Sequence, residues 1–351
     1  MVGKNSHLDV HGDTATDTLL IIDTTSGLQG FGWANASETE AVELLNKDPL
    51  NFFHPAQGVV SPLGRGDAPL WDLAGKILGE PAWRLLGGYG PEWVPVYDGS
   101  IYFSDLQPEY AERGISRILE EVDHSLERGH RAFKIKVGRG FKWMEPEVGL
   151  ARDIEVVRAI RAHVDPDVKL MVDSNNGYDL DTTKRFLEEA DVEFFFVEEM
   201  FPESVEEDLE LKRWIQARGW ETLVADGESA RDIEHFTPYI ARAAFDVLQG
   251  DIRRFGFTEL RDLARLAAPA GIGLAPHNWG SYLGLYMQAV LGRGIPNFVM
   301  AEQDPAQTEL FDASGFELRE GRMRVPDTPG CGLALRTERL ANQTLDWELN
   351  V

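Results

Sequence analysis

The chain has 351 residues, 43% hydrophobic and 26% charged, and a formal net charge of −25 from 34 Lys plus Arg against 59 Asp plus Glu. A field that negative repels nucleic acid and anionic membranes, so neither is an expected partner. No apolar run approaches the roughly 20 residues that span a bilayer. The start MVGKNSHLDVHGDTATDT is polar and Cys331 is the only cysteine, so a cytoplasmic protein without an intrachain disulfide is expected.

The length exceeds that of most single cores, which favours two units or a large barrel. In chain order, TLLIIDTTSGLQGFGWA (18–34) predicts two strands around a Thr-Thr-Ser-Gly turn. DAPLWDLAGKILGEPAWRLLGG (67–88) predicts a helix, a break and a helix end. Residues 1–92 are thus expected to form an α+β unit.

From about residue 93 one theme repeats: a short apolar run ending in polar residues, then a helix-period stretch. The runs are VPVYDGS, FKIKV, VKLMVDSN, EFFFVEE, TLVADGE, DVLQGD, IGLAPHN and FVMAEQD. Between them lie amphipathic segments such as VGLARDIEVVRAIRAHV, TTKRFLEEA, EEDLELKRWIQA, FTELRDLARLAAPA and YLGLYMQAVL. Strands alternating with helices indicate βα units and a parallel sheet, and eight of them suggest a closed barrel. Residues 93–318 are read as that barrel. Residues 319–351, from GRMRVPDTPGCGLAL on, have strand and turn character and are expected to pack back on the N-terminal unit.

Catalytic residues of barrels sit at the carboxyl ends of the strands. Here those ends carry Lys134 and Lys136, Asp173, Glu198, Glu228, Asp251, His277 and Glu302, each about one βα unit from the next. A carboxylate taken singly reads as a solvated loop residue or an ion-pair partner. Asp173, Glu198 and Glu228 lie on consecutive strands beside two lysines, and such oxygen ligands suit a hard cation that keeps other positions for water and substrate. Asp226 is an alternative to Glu228. Asn175 lies two beyond Asp173 and is a candidate donor. Glu199 should point away from Glu198 if its strand is regular.

Residues i and i+2 of a strand share a face, so Lys134 and Lys136 lie side by side. A lysine beside another cation and a metal is expected to have a depressed pKa and to serve as a base. Asp251 and His277 end consecutive strands, and a carboxylate on one ring nitrogen fixes the tautomer of the other. A lysine on one side, a His–Asp pair opposite and a divalent ion between them suit proton abstraction next to a carboxylate.

The stretches AFKIKVG, KLMVDSNNGY, FFFVEEMFP, VADGES, DVLQGDIRRFGFTEL and APHNWGS together resemble the enolase superfamily, in its mandelate racemase subgroup. APLWDLAGKILGEPAWRLLGG resembles the end of that family's capping domain, and VPDTPGCGLAL its C-terminal return. The resemblance covers about residues 18 to 340. It implies an α/β fold: a modified TIM barrel, (β/α)7β, with an N-terminal α+β capping domain completed by the C-terminal segment. It also implies one Mg2+ per subunit on Asp173, Glu198 and Glu228, and bases at Lys136 and the His277–Asp251 dyad. Lys134 then assists Lys136, and Glu302 hydrogen-bonds substrate.

The sequence departs from relatives at ADGES and at QGDIRRFGF, and its N-terminus is short. Asn175, Arg139 and His54 are candidate substrate contacts, the last from the least readable region. The expected partner is a small carboxylate, and relatives are commonly dimers or octamers. The expected reaction is dehydration of a sugar acid (aldonate or aldarate) to a 2-keto-3-deoxy acid. The alternatives are racemisation or epimerisation by the same two bases, or a non-catalytic barrel that binds an acid sugar.

Overall fold

A computed structural model describes residues 3–10, 12–34 and 36–350. The N-terminal part holds hairpin β1 (Leu19–Asp23) and β2 (Gln29–Trp33), the short helix α1 (Glu38–Val42), strands β3 (Phe53–His54) and β4 (Gly58–Val59), and helices α2 (Ala68–Leu78) and α3 (Ala82–Leu86). The hairpin lies directly on α2. A Cβ on Gly30 would stand 2.4 Å from the Pro69 carbonyl oxygen, and one on Gly32 2.7 Å from the Ala68 Cβ, so only glycine permits this approach. Helix α2 ends at Gly79 in the left-handed conformation, a common helix stop.

Seven βα units follow: β5 (Trp93–Ile101) and α4 (Ile115–Glu127), β6 (Ala132–Lys136) and α5 (Pro146–His163), β7 (Lys169–Asp173) and α6 (Leu180–Ala190), β8 (Phe196–Glu198) and α7 (Val205–Ala217), β9 (Leu223–Asp226) and α8 (Thr237–Arg242), β10 (Val247–Leu248) and α9 (Ile252–Ala267), β11 (Gly273–Leu274) and α10 (Tyr282–Gly294). The last strand, β12 (Ala301–Gln303), has no helix after it. Strands β5 to β11 pair in sequence order, all parallel. β12 pairs with β5, and a Leu274–Phe298 bridge joins β11 to the segment before β12. The sheet closes as a (β/α)7β barrel. Helix α4 is amphipathic, with Ile118 and Val122 buried on one face.

The barrel interior is filled by Tyr97, Ala132, Met171, Phe196, Ala225, Val247, Ala275 and Met300. Ala132, Met171 and Phe196 each lie two residues before Lys134, Asp173 and Glu198. The same strand face is therefore apolar at depth and ionisable at the carboxyl end. The intervening residues, Phe133, Ile135, Val172 and Val197, point outward into the core beneath the helices.

After the barrel come β13 (Phe311–Asp312), hairpin β14 (Glu317–Arg319) and β15 (Arg322–Arg324), and β16 (Ala334–Leu335). β15 runs antiparallel to the start of β5. The Gly330 amide donates to the Glu80 carbonyl (3.0 Å), and the Cys331 amide to Asp72 Oδ1 (2.8 Å). No helix among the described residues is long and apolar enough to cross a membrane.

Candidate active site

The parallel register sets the site. Lys136 lies level with Asp173, and Asp173 with Glu198, across β6, β7 and β8. Glu228 follows two residues after the end of β9, past Gly227 at φ +114°; a Cβ there would meet the Phe236 ring at 2.4 Å. Carboxylate atoms of Asp173, Glu198 and Glu228 all lie within 4.8 Å of one another. Asp173 and Glu198 are completely buried. Asp226 is not in this group; its electrostatic neighbours are Glu199, Glu203 and Asp208.

Lys134 Nζ lies 2.6 Å from Glu198 Oε1, 2.8 Å from Glu302 Oε1 and 3.4 Å from Asp173 Oδ2. Lys136 Nζ pairs with Asp173 and donates to Asn175 Oδ1 at 3.0 Å. Neither lysine has a depressed pKa. Burial opposes the charge of Lys136, but Asp173, with Tyr102 and Glu228 behind it, outweighs burial and Lys134 together and holds the ammonium above the ordinary range. Burial likewise opposes Lys134, and Glu198 and Glu302 override it. The depressed pKa is expected with a metal beside the lysines; without one, direct contact with the carboxylates decides their charge. A divalent cation on the triad competes with the lysines for the same oxygens.

Asp173 shows the other side of this pairing. Burial alone would raise its pKa, yet Lys136 and Lys134 lower it to about 2. Burial pushes Glu198 up to about 8, against the pull of Lys134. Its second oxygen accepts from Gln249 Nε2 at 2.6 Å. Gln249 is fully buried and its Oε1 has no partner among the described residues.

Facing the lysines, His277 Nδ1 stands 2.9 Å from Asp251 Oδ2, and Nε2 stands 3.3 Å from Glu228 Oε2. Burial works against the imidazolium, but Glu228 and Asp251 raise the ring to about 10. Asp251 is also the N-cap of α9 and accepts from the Arg253 and Arg254 amides, both at 2.9 Å. Glu302 Oε2 accepts from the Asn278 amide at 2.8 Å, so the residue after His277 is tied to β12.

Two candidate substrate contacts lie elsewhere. Arg139 follows Gly138, whose φ of +95° turns the chain back behind β6. Its guanidinium is fully buried, 2.7 Å from Asp105 and 2.6 Å from Asp153. It closes an internal ion pair and reaches no mouth. His54 is exposed on the β3–β4 hairpin, with Nδ1 accepting from the Ala56 amide at 3.2 Å. That hairpin is fixed to the middle and far end of α9 by Thr258, Arg261 and Arg265, away from the strand ends.

Glu199 departs from the regular strand. It has φ +41° and is buried, accepting from Asn175 Nδ2 at 3.1 Å. Burial, then Glu228 and Asp173, raise its carboxyl well above the usual range. Asn175 thus bridges Lys136 and Glu199. Two neighbours of the site do not stand out among the strand-end residues: Gln249, bonded to Glu198, and Tyr102, whose ring centre lies 5.9 Å from Lys136 Nζ. A polar residue inside the run DVLQGD was a signal for the first; nothing local marks the second.

A family model described as enolase C-terminal domain-like matches residues 117–339. The 3,6-anhydro-α-L-galactonate cycloisomerase of Streptomyces coelicolor is 28% identical over 332 residues, 94% of this chain and 84% of that protein. The crystal structure of galacturonate dehydratase from Geobacillus sp., complexed with D-galacturonate and 5-keto-4-deoxy-D-galacturonate, matches with a TM-score of 0.88. It is 33% identical and covers 97% of this chain and 91% of its own. A mandelate racemase/muconate lactonizing protein from Geobacillus sp., complexed with magnesium and tartrate, gives a TM-score of 0.89 at 32% identity, over 97% and 90% of the two chains.

Proposed function

The chain belongs to the enolase superfamily, as an enzyme akin to the acid-sugar dehydratases, and from that premise we propose that it dehydrates a sugar acid to a 2-keto-3-deoxy acid. The observation that carries this reading is the placement of two basic groups about one carboxylate triad: Lys136 against Asp173, and His277 3.3 Å from Glu228.

The residues fit Mg2+. Three carboxylates from consecutive strands converge within 4.8 Å, all hard oxygen donors, above the apolar floor of the ring. When bound by Asp173, Glu198 and Glu228, Mg2+ supplies positive charge that stabilises the dianionic form of a carboxylate losing its α-proton. With the charge of Asp173 taken up by the bound cation, Lys136 loses the partner that holds it protonated, gives its proton to solvent, and as the neutral amine removes the α-proton. Lys134, level with the buried end of Glu302, supplies a fixed positive charge to the substrate carboxylate. His277, held protonated by its carboxylate neighbours, gives its proton to the leaving β-hydroxyl, and Asp251 fixes the ring so that Nε2 faces inward. The enol that results takes a proton at carbon 3 to give the keto acid.

The test is a screen of aldonates, uronates and aldarates with the Mg2+-loaded protein, trapping 2-keto acids with semicarbazide. Absorbance that depends on both Mg2+ and one particular acid is expected. Epimerised acid without loss of water would favour a racemase or epimerase.

A further inference from the structure

The His277–Asp251 pair is not held by the barrel alone. Asp251 caps the first turn of α9, and the helix is broken just beyond that turn, where Gly256 has φ +68° and ψ −173°. A Cβ on Gly256 would stand 2.3 Å from the Arg65 carbonyl oxygen. Past the break Asp67 takes over as acceptor, from the Phe257 amide at 2.9 Å and the Thr258 amide at 2.8 Å. The turn from Ile252 to Phe255, with Asp251 at its head, is therefore a short piece set off from the rest of α9.

That piece is tied to Asp17, two residues before β1. Asp17 Oδ1 lies 3.1 Å from the guanidinium of Arg253, two residues after Asp251. Arg253 also donates to the carbonyl of Trp279, two residues after His277. Asp17 Oδ2 accepts from the Ser281 hydroxyl and, at 3.3 Å, from Trp33 Nε1 at the end of β2. Ser281 is 1% exposed. Its oxygen accepts from Trp33 Nε1 at 3.1 Å and caps α10 through the Gly284 amide at 3.2 Å. Its carbonyl accepts from Asn278 Nδ2 at 3.0 Å. The Ile252 amide donates to the His277 carbonyl at 3.1 Å. One carboxylate from the N-terminal part thus joins the turn after Asp251 to the loop after His277.

We infer that Asp17 is a positioning residue for the acid half of the site. Acting through Arg253 and Ser281, it sets how Asp251 and His277 stand to each other and so aims Nε2 at the carboxylate triad. Loss of Asp17 removes a partner from both Arg253 and Ser281 and lets the turn and the loop shift independently. A misplacement of about 1 Å can cost on the order of a hundredfold in rate. This inference rests on the role given to His277 in the dehydration above, and it deepens that reading.

The test compares the wild type with Asp17→Ala and with Asp17→Asn, which keeps the size of the side chain but not the charge facing Arg253. In metal-free protein carrying isotope-labelled histidine, the ring nitrogens of His277 are assigned by their loss in His277→Asn. Both Asp17 variants are expected to melt cooperatively and to shift or broaden those ring signals. With Mg2+ and the acid found in the screen, Asp17→Ala should lower kcat for dehydration about 10- to 100-fold with KM little changed. Exchange of the α-proton with D2O, which needs Lys136 rather than His277, should fall less. Arg253→Ala should reproduce the loss, and the double variant should add little to it. Unchanged His277 signals, or a KM that rises while kcat holds, overturn the inference. Shifted His277 signals in a protein that dehydrates no acid leave the positioning role standing and overturn the dehydratase reading.

Discussion

Two buried charge clusters flank β6, and they differ in balance. Behind the strand, Arg139 and Arg152 meet Asp105 and Asp153, with the Tyr178 hydroxyl and the Gly138 and Arg139 amides all donating to the remaining oxygen, Asp153 Oδ2. In front of it, Asp173, Glu198, Glu199, Glu228 and Glu302 share two lysines and one histidine. A balanced cluster is complete as structure. An excess of buried carboxylates is costly unless a cation joins them. Both clusters begin within the eight residues FKIKVGRG, so burial of charge alone does not mark a functional site; the uncompensated part does.

The largest effect expected on this contrast comes from the ring. Lys136→Ala and His277→Asn should each lower kcat by about 10²- to 10⁴-fold while the melting curve stays cooperative. Steady-state kinetics with the acid found in the screen will measure this, and near-normal turnover in either variant removes its assigned role. Behind the strand, Arg139→Met should instead destabilise the fold by about 3–5 kcal/mol, because Asp105 and Asp153 are left buried with less compensation. Denaturant unfolding reads that loss. A variant of normal stability with impaired substrate binding would reverse the assignments of the two clusters.

A subtler effect is expected at Gln249, which holds one oxygen of Glu198. Gln249→Leu should weaken Mg2+ binding by about 10- to 100-fold in a calorimetric titration, as loss of a partner to a ligand usually does. Unchanged affinity would make Gln249 a packing residue.

The smallest effect is on pH dependence. His277 is raised in the folded chain to about 10 from an ordinary value of roughly 6.5. A raised basic group stabilises the fold most below its unfolded pKa, and that contribution is lost as pH rises through the folded value. The metal-free wild type should therefore lose its advantage over metal-free His277→Asn between about pH 6.5 and 10. A gap in melting temperature that widens across this window contradicts the assignment.

The strand ends were legible because a period of two and a repeat of βα length place ionisable residues on one face at one end. The same rules fail wherever one backbone angle changes. Gly138 in the left-handed region sends Arg139 behind the strand, and Glu199 at φ +41° turns inward where a regular strand would turn it away. His54 was unreadable for a different cause: its place depends on long-range bonds from α9 to the β3–β4 hairpin. The charge state of Lys136 in the metal-free chain depends on a direct contact with Asp173, which sequence spacing alone does not reveal.

The proposed reaction removes an α-proton at this ring and expels a β-hydroxyl. Proton NMR of the Mg2+-loaded enzyme with its sugar acid in D2O tests it directly. Loss of the α-proton and formation of a 2-keto-3-deoxy acid carrying one solvent deuterium at carbon 3 are expected. Recovery of only α-deuterated acid or its epimer, with the β-hydroxyl retained, would contradict it.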